Sequence, residues 1–170
     1  MKLSVLLFLL IFSFNVLGQE KVKASNEFSI VGKVKRELTF TIKDIDTFPS
    51  QQIGDLVVTN HNGEKKGTAS KMRGVLLSKI LEKVEFAIES PRKLNEFYIV
   101  LEDSDGYRIL YSWNELFNSD TGDHVFIVTE KNSVQLQNME DRILVATTSD
   151  HKTGRRYIKG LVKIIIGSTS

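Results

Sequence analysis

The stretch His151-Lys152-Thr153-Gly154-Arg155-Arg156-Tyr157-Ile158-Lys159-Gly160 gathers five basic side chains around a glycine. Cations at that density suit an anion. Arginine forks grip phosphate or carboxylate oxygens in pairs, whereas a lysine acts as a point charge. If residues 157–159 are extended, Arg156 and Ile158 share one face while Tyr157 and Lys159 share the other. Arg156 and Lys159 then meet one anion only where the strand bends or begins between them. A solvated basic loop leading into the last strand fits the same residues.

The acidic residues are less suggestive. Glu102, Asp103 and Asp105 open a D-x-D-G pattern, but no acidic residue follows at the twelfth position to close a calcium cage, and Asn118, Asp120 and Asp123 fail in the same way. These are expected to be solvated loop acids. His61, His124 and His151 fall in separate turns without HxxxH or HxH spacing, so surface histidines are expected rather than a zinc trio. There is no G-x-S-x-G elbow, no G-x-G-x-x-G and no Walker lysine loop, which removes the sequence signals for a serine hydrolase or a glycine-rich phosphate cradle. The absence of cysteine excludes disulfides, thiolate metal ligation and cysteine nucleophiles together.

The elements that must position these residues are mostly strands. Period-two alternation predicts strands over 28–34 and 38–42, then Asp44 capping a short helical turn that Pro49 ends, and a third strand over 53–59. His61-Asn62-Gly63 predicts a tight turn into a returning segment at 64–72. The pattern GVLLSKILEKVEF, with Leu77, Ile80, Leu81 and Val84 on one face, predicts the main helix over 74–86, and Pro91 marks its exit loop. Residues 96–102 and 107–112 read as strands joined at Asp105-Gly106, a two-residue turn in which both positions tolerate positive φ. A short helix beginning near Ser112 covers 113–117, strands follow at 124–130, 134–136 and 143–147, and YIKGLVKIII closes the chain as a strand. The fold class is α+β with antiparallel or mixed sheets, since a doubly wound fold needs a regular strand–helix alternation that is missing.

The first eighteen residues are expected to be a secretory signal peptide, with one lysine, an apolar run and Val16 and Gly18 before the expected cleavage point. Cleavage after Gly18 leaves 152 residues, enough for one domain with its own core, and 22 basic against 21 acidic side chains. That near-neutral balance argues against nucleic acid as a partner. The expected location is periplasmic or extracellular, with residues 19–26 as a disordered lead-in, a single domain over 27–170, and no stable membrane anchor once the signal is removed.

In chain order, FSIVGKVKRELTFTIKDIDTFP, RGVLLSKILEKV, SDGYRILYSWNEL and GRRYIKGLVKIII resemble segments of the oxidoreductase molybdopterin-binding domain, the catalytic domain of the sulfite oxidase family. The resemblance implies a single molybdopterin-binding-like domain over 27–170, an α+β fold of several small sheets, a molybdopterin cofactor and oxidoreductase activity. It also implies that Arg156 and Lys159 correspond to an Arg-x-x-Lys pair reaching the cofactor's phosphate end. The family's metal-ligand cysteine has no counterpart, because its region reads VVTNHNGEKKG with Asn60, His61 and Asn62, and the family's Gly-Pro-x-Arg stretch is replaced by NMEDRILV. A soft thiolate has no substitute in asparagine, and His61, which can ligate metals, is the candidate replacement there. The expectation is an exported, non-catalytic binding domain. It would hold a small anionic or pterin-like ligand in a pocket lined by His61, Arg73, Asp105, Tyr107, Arg156 and Lys159, or serve a protein partner. The alternative is a molybdopterin-dependent oxidoreductase with no cysteine on its metal.

Overall fold

Residues 97–103 bury Phe97, Ile99, Leu101 and Asp103 on one side and leave Tyr98, Val100 and Glu102 partly exposed, the pattern of a strand with one face on a core. The computed structural model describes residues 23–169. The expected signal peptide lies outside them. Five strands form the first sheet: β1 (Glu27–Gly32), β2 (Leu38–Thr41), β5 (Phe97–Asp103), β6 (Arg108–Ser112) and β11 (Leu161–Ser168), in the order β2-β1-β11-β5-β6. The second sheet contains β3 (Gln51–Thr59), β4 (Lys65–Leu76), β7 (Val125–Lys131), β9 (Val145–Thr147) and β10 (Tyr157–Ile158), in the order β10-β9-β7-β4-β3, with β8 (Val134–Gln135) paired to β7. Only β1 and β11 run parallel among these pairings. Buried residues of both sheets, among them Ile30, Ile99, Tyr111, Ile127, Val145 and Ile164, belong to one hydrophobic cluster. The architecture is α+β, as expected.

Among the described residues three short α-helices complete it: α1 (Ile42–Ile45), α2 (Leu77–Leu81) and α3 (Trp113–Phe117). In α3 the expected start holds, since Ser112 caps it and Glu115 closes the reciprocal capping box. In α1 the cap is Thr41 rather than Asp44; Asp44 is the third helical residue and accepts from the Thr41 N–H at 2.8 Å. Ser25, within the stretch expected to be a loose lead-in, is buried and donates from Oγ to the Leu161 carbonyl at 2.6 Å.

Two larger expectations fail. The main helix shrinks to the five residues Leu77–Leu81: at its end 82–83 form a turn and Phe86 bridges to Val34, and at its start 74–76 remain in β4, where Gly74, Val75 and Leu76 pair with Val128, Ile127 and Phe126 of β7. The backbones approach so closely there that a Cβ on Gly74 would lie 2.7 Å from the Ile127 carbonyl oxygen. The expected closing strand is also split. Residues 157–158 belong to the second sheet and 161–168 to the first, and Gly160, at φ +66°, turns the chain between them.

Candidate functional site

The two hairpin turns have the same construction. Asn60 Oδ1 accepts from the N–H groups of Asn62 and Glu64, each at 3.0 Å, and Asp103 Oδ1 accepts from those of Asp105 and Tyr107, each at 2.9 Å. Each turn then closes on a glycine in the left-handed region, Gly63 at φ +95° and Gly106 at φ +82°. These are longer turns with a glycine bulge, so only the glycine takes positive φ and the expected two-residue Asp-Gly turn is corrected. Asp103 is buried by this arrangement, and its carboxylate organises the turn rather than a cation site.

The basic stretch docks against both turns. Its 3-10 turn, Thr153–Arg156, lies along the edge of β3, where Thr153 Oγ1 donates to the Val57 carbonyl at 2.7 Å and accepts from the Thr59 N–H at 3.1 Å. A Cβ on Gly154 would meet the Thr59 carbonyl oxygen at 1.9 Å, so a glycine is required by the closeness of the backbones. Arg155 Nε donates to the His61 carbonyl at 3.0 Å, and the Tyr107 hydroxyl donates to the Arg155 carbonyl at 2.8 Å. The Ser104 N–H donates to the Gly160 carbonyl at 3.0 Å, which holds the end of the basic stretch on the second turn.

Arg156 leaves this surface and faces inward. Its Nε and Nη2 hold the two oxygens of Asp150 at 2.8 and 2.5 Å, its Nη1 reaches Glu115 Oε1 at 3.3 Å, and its guanidinium carbon stands 4.6 Å from the centre of the Tyr111 ring. The Tyr111 hydroxyl shares a 2.6 Å hydrogen bond with Thr147 Oγ1. The cluster therefore joins β6 and α3 of one side of the fold to β9 and the basic loop of the other. The Asp150 hydrogen bond raises the Arg156 pKa above its ordinary value, and burial pushes the Tyr111 phenol up to about 12. Asp150, Glu115, Tyr111 and Thr147 had no motif to mark them. The one local signal was the Ser112-to-Glu115 capping spacing.

Of the six residues expected to line one pocket, His61, Asp105, Tyr107 and Lys159 are exposed on this group of loops. Arg156 is turned away from them onto its carboxylates. Arg73 is remote: it pairs with Gln52 near the far end of the β3–β4 ribbon and donates from Nη2 to the Ser50 carbonyl at 3.0 Å. Eight residue steps of β4 separate it from Lys65 at the turn, roughly 25 Å of extended chain. Two depressions in the surface lie elsewhere, one of about 420 Å³ beside Ser78, Lys79, Asn118 and Asp123, the other of about 260 Å³ beside Lys35, Arg36 and Lys83. Neither includes any of the six. Among the described residues no group of three or more metal-ligating side chains is gathered, and His124 is tied through Nδ1 to the Asp120 carbonyl at 2.7 Å.

Molybdopterin, which the sequence resemblance implies, does not fit these residues as that resemblance would place it. Asn60, in the region of the absent cysteine, is committed to its own turn and also donates from Nδ2 to Glu64 at 2.7 Å. Arg156 is enclosed by two carboxylates, and direct hydrogen bonds close the basic loop onto β3.

No protein-family model matches the chain, and no curated protein matches it in sequence. Among solved structures it is similar to the sulfane dehydrogenase SoxCD from Paracoccus pantotrophus, with a TM-score of 0.64 and 14% identity. What the two share is a fold. The match covers 88% of this chain and 41% of the SoxCD chain, so this chain spans about two fifths of its neighbour's length.

Proposed function

We propose that this chain is an exported, non-catalytic binding domain on a sulfite oxidase-like molybdopterin scaffold, and that its basic loop end receives an anionic ligand. One observation carries the reading: Arg156, the cation that resemblance assigns to a cofactor phosphate, is held by Asp150 and Glu115, while Lys152, Arg155 and Lys159 of the same stretch remain exposed. The related fold supports the scaffold. Export rests on the amino-terminal apolar run.

The oxidoreductase reading requires Arg156 to leave both carboxylates and a metal to be held without thiolate. The discriminating experiment is metal and pterin analysis of the protein exported and purified from a host that makes molybdopterin. The expected result is no stoichiometric molybdenum, tungsten or pterin, together with measurable binding of inorganic polyphosphate. Stoichiometric metal and pterin would overturn the proposal.

A further inference from the structure

The basic end gathers exposed cations from four segments. Lys65 and Lys66 begin β4, Lys152 and Arg155 lie on the docked loop, Lys159 precedes Gly160, and Lys23 is held where its carbonyl accepts from Ser104 Oγ at 2.8 Å. The Lys152 side chain passes over Gly63, with Cε 3.4 Å from where a Cβ would stand, which joins the loop to the first turn. Among the described residues none of these six cations forms an ion pair with a carboxylate. Lys35–Glu85, Lys79–Glu82, Lys93–Glu96, Lys131–Asp141 and, beside the second turn, Arg108–Glu102 are ion pairs, while Arg36, Lys43, Lys71, Lys83 and Arg92 are exposed without one among the described residues, so the gathering of six such cations, not the lack of partners alone, marks this end. Glu64 and Asp105 also lie at this end, and Glu64 is engaged by Asn60.

Resting on the anion-binding reading above, we infer that this end is a seat for the anionic face of a phospholipid bilayer. A small anion is held best by convergent donors in an enclosed site, and these loops close directly onto one another while their cations spread outward. That geometry fits a broad array of phosphates. Tyr107 stands among the cations with 48% of its surface exposed and its hydroxyl fixed on Arg155, and tyrosine is the amphipathic ring that settles at headgroup level. The described fold also begins here, with the Lys23 carbonyl held by Ser104 Oγ, which keeps that lysine among the other cations. Binding of this kind is peripheral and reversible, because it uses surface charge without a buried anchor.

The test is co-sedimentation of the exported, purified protein with phosphatidylcholine vesicles, with and without phosphatidylglycerol. Binding is expected only when phosphatidylglycerol is present, and it should weaken as salt shortens the screening length. Each cation near such a surface contributes about fivefold, so the Lys65→Gln/Lys66→Gln/Lys159→Gln variant should bind roughly a hundredfold more weakly. A control variant, Lys35→Gln/Lys79→Gln/Lys83→Gln, should bind as the parent does. Equal binding to both vesicles, an unaffected first variant, or an equal loss in the control would each overturn the inference. Binding of inorganic polyphosphate without binding of vesicles would overturn the membrane assignment alone. Binding of neither would overturn the proposed function as well.

Discussion

Replacing Arg156 with methionine keeps most of the side-chain volume and removes the two-pronged bond to Asp150, the longer bond to Glu115 and the cation over Tyr111. Asp150, with 15% of its side chain exposed, is then a carboxylate without its partner. Breaking a fully buried pair by removing one member costs about 3–5 kcal/mol. Arg156 keeps 22% of its side chain exposed and water reaches the vacated site, so about 2–3 kcal/mol is the expected loss. Urea denaturation should show it as a lower midpoint with an unchanged slope. Arg156→Met combined with Asp150→Asn removes the stranded charge, so its loss should fall short of the two single losses by more than about 1 kcal/mol. In that charge-balanced variant polyphosphate binding should stay within about twofold of the parent, since Arg156 is not offered to an external anion. A single-variant loss below about 0.5 kcal/mol, or additive single losses, would refute the clasp. Loss of polyphosphate binding in the balanced variant would restore Arg156 to the binding surface.

Three further outcomes follow from the geometry. Tyr111 ionises near pH 10 when unfolded and near 12 when folded, so between those values the unfolded chain releases a proton that the folded one retains, and stability falls as pH rises. The Tyr111 share of that loss is on the order of 2–3 kcal/mol, read by urea midpoints across that range; burial raises the Tyr157 phenol in the same direction, so Tyr111→Phe should remove only its own share and Tyr111→Phe with Tyr157→Phe most of the slope. Gly154→Ala puts a methyl group into the Thr59 carbonyl and should detach the basic loop from β3, lowering stability by about 2 kcal/mol or more and speeding amide exchange at Thr59. Ser112→Ala removes the acceptor for the Glu115 N–H and should cost α3 about 1 kcal/mol in thermal or urea unfolding.

Local chemistry carried much of the fold. The alternation in 97–103, the Ser112 start of α3 and the turns at Gly63 and Gly106 depend on residues within a few positions of one another, and the sequence displayed them. The turn type escaped because Asn60 and Asp103 capture N–H groups two and four residues ahead, which lengthens each turn by a mechanism that an Asn-Gly or Asp-Gly pair does not announce.

For the candidate site, the chain order showed that a basic stretch existed and that its two key cations could not share a face without a break. Its surroundings came from long-range pairing. Gly74, Val75 and Leu76 carry a helical pattern, but strand β7 lies alongside and satisfies their backbone groups in a sheet. The break at Gly160 sends two halves of one apolar run to different sheets. Arg156 meets Glu115 across 41 positions and Tyr111 across a ring face. Amino-acid type thus determined which groups could turn, cap or carry charge. Tertiary packing determined which charge was neutralised inside and which remained for solvent, because an arginine's role depends on the carboxylates that the fold brings within reach.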